Sequence, residues 1–453
     1  MKLVEVIISV VAGLGLMLAA TLPPARGWKP GLRRLTAALG AIALVAGLIV
    51  AAAPATAPRS TSAPGGLLYL SPTGSDSNPC TQALPCLSFD RAYHRAQPGQ
   101  LVELAAGAYG DQTLNVDSGK SSATAAVVFR PAAGASVTVG NVDFYGRQIE
   151  LRDMTLQGWR SFHAADHITL RRIVSGAFYL WGSSNISVLG GEVRSTTPTT
   201  TFWPMVTEQE GSGTGPPTNI LFDGVFVHDW IDVDPNQSNH VDCIQFGAGV
   251  NVTIRDSRFW HCGTADLFIR SWGTMNGGTH LLRGFLIENN FFGATTNAYY
   301  SIQFGNDLGT GKADLMLRYN SFLQGVHFDT PTSQVSVISN IFSEQASWDC
   351  GASVYGHNID ETLLGSGAPC GKTDRVTPVK YVNRDALDLH LLPGSPGIDQ
   401  GDPHNYPATD IDGQRRPFGR RPDVGADEVT FGAVKRVAGP ASKPNTRSGS
   451  SHP

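Results

Sequence analysis

The amino-acid sequence predicts an all-β fold, a right-handed parallel β-helix solenoid, from its length, its composition and one recurring strand motif. At 453 residues the chain exceeds the roughly 250 to 300 residues at which single compact cores stop growing. Several domains or one elongated repeat are therefore expected. Charged residues make up only 16% of the chain, against 51 glycines and 28 prolines, which is typical of turn-rich β structure.

The recurring motif alternates apolar and polar residues and usually continues into Asp, Asn or Gly. It begins at Ile149, Ile168, Ile186, Ile220, Val252, Phe285, Leu315 and Val335. A period of two indicates a short strand, and the smallest steps of 18 to 20 residues equal about one turn of a solenoid. Asn and Gly after the strand supply the left-handed conformations of a tight corner. An antiparallel sandwich would not hold this motif in phase, so the repeat favours the β-helix.

A second set of apolar segments accompanies the first. Its members are Phe178-Tyr179-Leu180, Cys243-Ile244-Gln245-Phe246, Leu267-Phe268-Ile269, Ser301-Ile302-Gln303-Phe304 and Val326-His327-Phe328. We expect these segments to stack in another parallel sheet, with strands roughly 4.8 Å apart.

The amino terminus predicts export. Two apolar stretches, Val4–Leu22 and Leu35–Ala57, each approach the ~20 residues that a membrane-spanning helix needs. The loop between them carries Arg26, Lys29, Arg33 and Arg34, so it is expected in the cytoplasm with everything after Ala57 outside. Alternatively, translation begins near Met17 and the second stretch is a signal peptide.

Both interpretations place the remaining chain outside the cytoplasm, either anchored on the outer face of a membrane or secreted. Residues 1–57 are thus assigned to signal or transmembrane segments, and the proline-rich residues 58–66 to a tether. The net charge of −4 provides no basic field for a nucleic-acid partner. Six cysteines form three sequence-local pairs that suit disulfides in an oxidising compartment: Cys80 and Cys86, Cys243 and Cys262, and Cys350 and Cys370.

Two segments resemble known modules. The segment containing Tyr69–Asp76, Pro85–Phe89, Ala96–Leu104 and Gly107–Tyr109 resembles the start of exported right-handed β-helix proteins of the pectate-lyase-like superfamily. This resemblance implies a helix over Ser88–Arg95 that caps the open end of the solenoid. The segments Asp388–Leu391, Gly394–Gly401, Thr409–Pro417 and Asp423–Glu428 resemble the carboxy-terminal choice-of-anchor Q module of bacterial surface proteins.

The expected organisation is therefore a β-helix over residues 67–345, a choice-of-anchor Q-like module over 346–429 and a disordered tail over 430–453.

The candidate catalytic residues centre on two aspartates of the second strand set. Asp242 precedes Ile244 by two residues, as Asp266 precedes Phe268 and Tyr300 precedes Ile302. Equal offsets predict stacking on neighbouring coils, with both carboxylates exposed in a groove. Two carboxylates about 5 Å apart are costly unless they share a proton, bind a cation or contact a substrate.

Further candidates surround this pair. A lyase needs a base and a cation that neutralises a uronic carboxylate, and the candidates for these roles are His240, His261, Tyr300 and Arg270. Long loops over residues 210–219, 271–284 and 305–314 are expected as the groove walls. The substrate-binding candidates are Glu208, Gln245, Trp272 and Gln303.

One run of oxygen ligands suggests a cofactor. Asp232, Asp234 and Asn236 have the spacing of a calcium loop, although Gln237 replaces the expected Gly and no Glu closes the loop. Ca²⁺ is the cofactor to which this spacing points, and the sequence suggests no other.

The coils around Asp242 and Asp266 also resemble the catalytic coils of polygalacturonase-type β-helix hydrolases, with Ala265 replacing one Asp of that motif. Two hypotheses follow for an exported protein whose expected partner is polysaccharide. The chain is either a lyase or hydrolase, or a non-catalytic surface protein that binds glycan or a protein partner along its flank. Fold class alone does not separate them.

Overall fold

The structure is a computed structural model, and it describes a chain of stacked β-coils. The described residues are 66–197, 204–208, 215–233, 241–271, 281–296, 300–305, 308, 314–346, 349–365 and 367–430. The expected signal or transmembrane segments, tether residues 58–65 and tail residues 431–453 lie outside them. Within the described part of the chain, no helix has the length and apolar character needed to cross a membrane.

The fold consists of short strands and one α-helix, α1, over Phe89–Arg95. In chain order the strands are β1 Leu68–Leu70, β2 Leu101–Leu104, β3 Gly107–Tyr109, β4 Gln112–Leu114, β5 Val127–Pro131, β6 Val137–Phe144, β7 Arg147–Arg152, β8 Thr155–Ser161, β9 Asp166–Ser175, β10 Phe178–Trp181, β11 Ser184–Arg194, β12 Met205–Thr207, β13 Thr218–Asp223, β14 Phe226–His228, β15 Ile244–Phe246, β16 Gly249–Arg255, β17 Arg258–Trp260, β18 Leu267–Ile269, β19 Leu282–Glu288, β20 Phe291–Phe292, β21 Tyr300–Phe304, β22 Leu315–Arg318, β23 Ser321–Phe322, β24 Gly325–Phe328, β25 Val335–Ile338, β26 Ile341–Ala346, β27 Val354–Gly356, β28 Ile359–Leu364, β29 Arg375–Val376, β30 Tyr381–Asn383 and β31 Asp388–Leu391.

Strands β1 to β29 pair in parallel in three columns, which we name sheets I, II and III. One coil passes through them in that order, as β16, β17 and β18 do before β19 returns to sheet I. Sheet I runs from β1 through β16 to β27, sheet II from β3 through β17 to β29, and sheet III from β4 through β18 to β24. Long strands such as β9 and β11 contribute to both sheets I and II. This pairing confirms the parallel β-helix.

The recurring motif forms sheet I in register. All eight motif starts pair in one continuous row from Ile149 to Val335. The corner that follows each motif has a left-handed backbone, for example Asp256 with φ 53°, Asn289 with φ 55° and Gly224 with φ 69°. Here the prediction of Asn and Gly corners is confirmed in part, because Tyr319 and Ser339 occupy equivalent positions with φ 54° and 56°.

The interior of the coils is filled by stacked side chains. In sheet II the rings of Phe259, Phe292, Phe322 and Phe342 stack with centroids 4.8, 4.6 and 5.0 Å apart, close to the spacing between strands. Such stacking follows from register, since each inward position lies directly above the equivalent position of the next coil.

Helix α1 confirms the predicted helix to within one residue. Ser88 is its N-cap, and the Arg91 amide donates to Ser88 Oγ at 3.1 Å. The helix buries Phe89, Ala92 and Tyr93, and the Phe89 ring stacks on Phe129 of β5 at 5.1 Å. Its apolar side therefore covers the core at the amino-terminal coils.

All three predicted disulfides are present, with Cα atoms 4.6 Å apart for Cys80–Cys86, 5.3 Å for Cys243–Cys262 and 5.2 Å for Cys350–Cys370. The Cys243–Cys262 bridge joins the residue before β15 to the turn after β17. It thus ties neighbouring coils together beside the candidate site.

The carboxy-terminal segment packs against the outer side of sheet II. Phe291, Ile341 and Ile359 of sheet II share a second apolar cluster with residues such as Leu389 and Val424. Parallel pairing continues to Val376, so coils lie on both sides of the expected boundary at residue 345. Assignment of residues 346–429 to a choice-of-anchor Q-like module remains a prediction.

Candidate functional site

The outer side of sheet III carries the candidate site. Its strands alternate inward and outward residues, as in β10, where Phe178 and Leu180 are buried while Tyr179 and Trp181 are partly exposed. We define row 1 by the paired outward residues Asp143, Arg160, Tyr179, Met205, Gln245, Phe268, Gln303 and His327. Row 2 lies two residues further along each strand and contains Tyr145, Phe162, Trp181, Thr207, Gly247, Arg270, Gly305 and Asp329.

The register of sheet III corrects the predicted alignment of Asp242 and Asp266. Leu267, not Phe268, pairs with Ile244, so Asp266 is level with Cys243 rather than with Asp242. The sequence argument took Phe268 as an inward anchor because it is apolar. In the structure Phe268 belongs to the outward row, and the equal offset is therefore wrong by one residue.

The predicted exposure of this pair is also wrong, because Asp242 and Asp266 are both 0% exposed. Asp242 Oδ1 accepts a hydrogen bond from the Ala265 amide at 3.0 Å, which fastens one coil to the next. Burial raises the pKa of Asp266 well above its usual range; the Ser301 hydroxyl lowers that pKa, and the charge of Asp242 raises it further. The buried Asp266 carboxyl therefore favours its neutral form. Both aspartates lie at corners of the coils and not in an open groove.

The predicted amide residues do share the outer side. Gln245 and Gln303 are both in row 1, separated by Phe268 on the strand between them. Gln245 is 5% exposed, and its Oε1 atom has no hydrogen-bond partner among the residues described. Gln303 Nε2 donates to Asp329 Oδ1 at 2.9 Å. Glu208, another substrate-binding candidate, lies directly after β12 and is 3% exposed. The remaining candidate, Trp272, lies outside the described residues.

Arg270 is the exposed cation of the site. The main-chain amide of Arg270 donates to Phe246 O at 3.0 Å, which places the residue in row 2. Its guanidinium forms no ion pair with any of the described residues. Its side chain lies over Gly305 of the next strand. A Cβ at Gly305 would be 2.6 Å from Arg270 Cγ and 2.8 Å from Arg270 Cδ, so only glycine admits this path.

His327 is a site residue that the sequence analysis missed. His327 Nδ1 is 2.7 Å from Asp349 Oδ1, and its Nε2 is 3.4 Å from Asp329 Oδ1. The Tyr300 ring stacks on the imidazole at 4.3 Å with an interplanar angle of 16°. A usable signal was present, since His327 follows an inward Val as Gln245 follows Ile244. Asp349 could not be found in this way, because it follows sheet II strand β26 outside the repeated motif.

Two predicted base candidates fall elsewhere. His261 lies at a left-handed corner after β17, where its Nδ1 is 3.2 Å from Asp229 Oδ1. Asp229 also contacts His228 Nδ1 at 2.9 Å, and although burial raises the pKa of Asp229, these two imidazoles lower it overall. His261 therefore belongs to a cluster at the sheet II corner. His240 lies outside the described residues.

The aromatic end of row 2 was also missed. The Tyr145 and Phe162 rings stack at 4.4 Å, and the Trp181 ring lies 5.3 Å from Phe162 at an interplanar angle of 49°. All three rings are partly exposed. Sheet III thus carries an aromatic row on its amino-terminal coils and polar groups on its carboxy-terminal coils.

The calcium loop stays a prediction, because Asp234 and Asn236 lie outside the described residues, while Asp232 is 8% exposed. A different group of possible metal ligands, His390, Asp412 and Asp427, lies in the carboxy-terminal segment, with ligand atoms within 4.8 Å of one another. Burial lowers the pKa of His390, but Asp412, Asp427 and Asp388 together raise it to about 9, which describes an imidazolium held among carboxylates.

Comparison with known proteins gives low similarity. No family model matches the chain, and no curated protein matches it. Pectate lyase Pel9A is 14% identical with a TM-score of 0.45, covering 80% of this chain and 96% of that chain. A rhamnogalacturonan lyase is 13% identical with a TM-score of 0.38, covering 70% and 91%, respectively. Alginate lyase AlyGC is 12% identical with a TM-score of 0.33, covering 76% and 60%.

Proposed function

We propose that this chain is a carbohydrate-active protein that binds an acidic polysaccharide along the outer side of sheet III. The observation that carries the proposal is the Arg270 guanidinium, exposed over Gly305 and unpaired among the described residues. A guanidinium donates paired hydrogen bonds that match a carboxylate. Gln303, partly exposed in the neighbouring row, adds an amide group suited to sugar hydroxyls.

The other two outer sides are occupied in part. On sheet I, arginines pair with carboxylates, as in Arg255 Nη2 to Asp223 Oδ2 at 2.7 Å and Arg318 Nη2 to Glu288 Oε2 at 2.7 Å. Sheet II is covered near its carboxy-terminal coils by the apolar cluster described above. Arg283 of sheet I is also exposed, but Arg270 is the exposed arginine that neighbours the outward amide and aromatic side chains of sheet III.

The site has the dimensions of an extended ligand. From Tyr179 to Gln303 row 1 crosses four strand spacings, which is about 19 Å at ~4.8 Å per strand. A chain along this side passes the aromatic ring of Trp181 in row 2 at one end, and Gln303 and Arg270 at the other. This arrangement suits a polymer with both apolar ring faces and charged groups.

A binding experiment on the purified full-length protein tests the proposal. Polygalacturonate and alginate serve as uronate probes, with their carboxyl-reduced forms as neutral controls. Arg270→Gln should weaken uronate binding at least about tenfold, since a hydrogen bond to a charged group contributes about 1.5–3 kcal/mol. Arg283→Gln, at an exposed arginine in sheet I, is the matched control and should change affinity less than about twofold.

A second variant separates position from charge. Gly305→Ala keeps the guanidinium but forces the Arg270 side chain to move, so uronate binding should fall in the same direction. Equal affinity for uronate and carboxyl-reduced polymers, or unchanged binding in Arg270→Gln, would contradict the acidic-polysaccharide proposal. Binding that is absent in the wild-type protein would contradict it outright.

Export belongs to the same proposal. Three disulfides support folding in an oxidising compartment, where polysaccharides of surfaces and matrices are accessible. We propose that residues after Ala57 are outside the cytoplasm, either anchored on the outer face of a membrane or secreted.

A further inference from the structure

We propose that His327 and Asp349 form the proton-transfer pair of this site, with His327 as the catalytic residue and Asp349 as its positioning residue. This inference rests on the proposed function, because it requires a polysaccharide on the outer side of sheet III. It goes further by assigning a reaction to that surface and two residues to the reaction.

The geometry assigns different roles to the two imidazole nitrogens. Nδ1 is 2.7 Å from Asp349 Oδ1, a hydrogen-bond distance that fixes the ring and its tautomer when Nδ1 carries the proton. Nε2 then carries the lone pair, and Asp329 Oδ1 lies 3.4 Å from it. The side chain of His327 is 25% exposed while that of Asp349 is only 3% exposed, so the base faces solvent and its orienting carboxylate does not.

Asp349 is placed for orientation rather than for structural pairing alone. Its Oδ2 atom is buried without a hydrogen-bond partner among the described residues. Burial raises the pKa of Asp349, whereas His327 and a hydrogen bond from the Phe328 amide lower it. The carboxyl is therefore held by the main chain while its Oδ1 atom orients His327.

The surrounding groups complete the site. Among the described residues, the titratable groups in contact with His327 are Asp349, Asp329 directly after its own strand, and Tyr300 on the preceding strand. Asp329 Oδ1 also accepts from Gln303 Nε2. Arg270 and His327 are on strands two positions apart, about 10 Å, and the Arg270 side chain spans part of that distance over Gly305.

This arrangement supports an elimination. Arg270 binds the carboxylate of a uronic residue, and His327 Nε2 takes the proton from the carbon next to that carboxylate. The electron pair of the broken C–H bond forms a C=C bond, and the neighbouring C–O bond breaks with its electron pair on the leaving oxygen. The His327 imidazolium returns the proton to that oxygen, so the step needs no oxidant, metal or further reactant.

The test compares turnover with binding. Full-length protein is incubated with polygalacturonate or alginate over about pH 5 to 9, and the unsaturated products are measured. His327→Gln should lower kcat at least about a hundredfold while changing the affinity for either polymer less than about threefold. His404→Gln, at an exposed histidine outside sheet III, is the matched control and should leave both unchanged.

Asp349→Asn distinguishes positioning from folding. It should lower kcat while leaving the affinity for either polymer and the melting temperature close to those of the wild-type protein, because the imidazole is no longer held in position. A merely structural Asp349 would lower the melting temperature and leave the kcat of the folded protein unchanged.

Three results would overturn the inference. Wild-type protein that binds uronate polymer but yields no unsaturated product removes the reaction and leaves the proposed binding function intact. Turnover retained in His327→Gln removes the assignment of the base. Parallel losses of binding and turnover in a folded His327→Gln variant would make His327 a binding residue instead.

Discussion

Asp242 and Asp266 show how burial determines the role of a carboxylate. Aspartates suit acid–base chemistry, yet both of these side chains are completely buried. Asp242 accepts a hydrogen bond from a main-chain amide, and burial raises the pKa of Asp266 so that its neutral form is favoured. His327 has the opposite properties, since it is accessible and held by a buried partner. Access to solvent therefore separates the corner residues from the proposed catalytic residue.

Asp266 predicts a specific pH dependence of stability. Its folded-state pKa lies above the unfolded value, so its favourable contribution is complete below the unfolded pKa and is lost as the pH rises through the folded pKa. Asp266→Asn removes this loss, and should raise the free energy of unfolding at about pH 8 by on the order of 1 kcal/mol, with no gain at about pH 4.

Urea denaturation at the two pH values measures this effect. Asp385→Asn, at an exposed aspartate, should change stability little at either pH. An Asp266→Asn protein that loses stability at both pH values would show that the ionised carboxylate stabilises the coil.

At the scale of elements, a ladder of buried asparagines holds consecutive coils together at the corner between sheets I and II. Asn290, Asn320, Asn340 and Asn358 are at most 1% exposed. Each side chain donates to the next oxygen, for example Asn290 Nδ2 to Asn320 Oδ1 at 2.9 Å and Asn320 Nδ2 to Asn340 Oδ1 at 3.0 Å. The ladder follows left-handed corners that leave main-chain groups without strand partners.

Asn320→Ala should therefore destabilise the protein by about 3 kcal/mol. The side chain donates to the Ile287 and Arg318 carbonyls and accepts from the Asn290 amide. Each buried group left without its hydrogen bond costs about 1–3 kcal/mol. Asn219→Gly, in a solvent-exposed asparagine pair, is the control and should cost less than about 1 kcal/mol. Equal losses in thermal or urea unfolding of the two variants would count against the ladder as a source of stability.

At the scale of the whole molecule, the three sheets have different surroundings. Ion pairs line sheet I, the carboxy-terminal segment packs on sheet II, and sheet III carries the exposed Arg270 and, two strands away, the partly exposed His327. Under the proposed function, one solenoid separates stabilisation from ligand contact. Three disulfides reinforce turns and coils, consistent with the proposal that this part of the chain folds outside the cytoplasm.

The proposed topology has a direct test. Alkaline phosphatase, which is active only where its own disulfides form, should be active when fused after residue 66. Fusion within the basic loop, after Arg34, should be inactive under the membrane-anchor interpretation because the positive-inside rule places that loop in the cytoplasm. A stable but inactive fusion after residue 66 would contradict export.

Much of sheet I could be predicted from the sequence because an inward apolar row repeats at intervals set by the coil. The eight motif starts needed only periodicity, and all eight pair in register. Sheet III was harder, since the outward Phe268 is as apolar as its inward neighbours Leu267 and Ile269. Its strands were found, but a one-residue error in register moved Asp266 to the wrong side.

The sequence by itself determined the parallel coils, the helix near Ser88 and the cysteine pairs, because each depends on a local pattern or a short separation along the chain. Only the tertiary structure decided which polar groups are accessible. Asp349 is 22 residues from His327 and reaches it through the next coil, and Arg270 crosses Gly305 from another strand. Those contacts depend on register and on the path of the chain between sheets, which side-chain alternation alone does not specify.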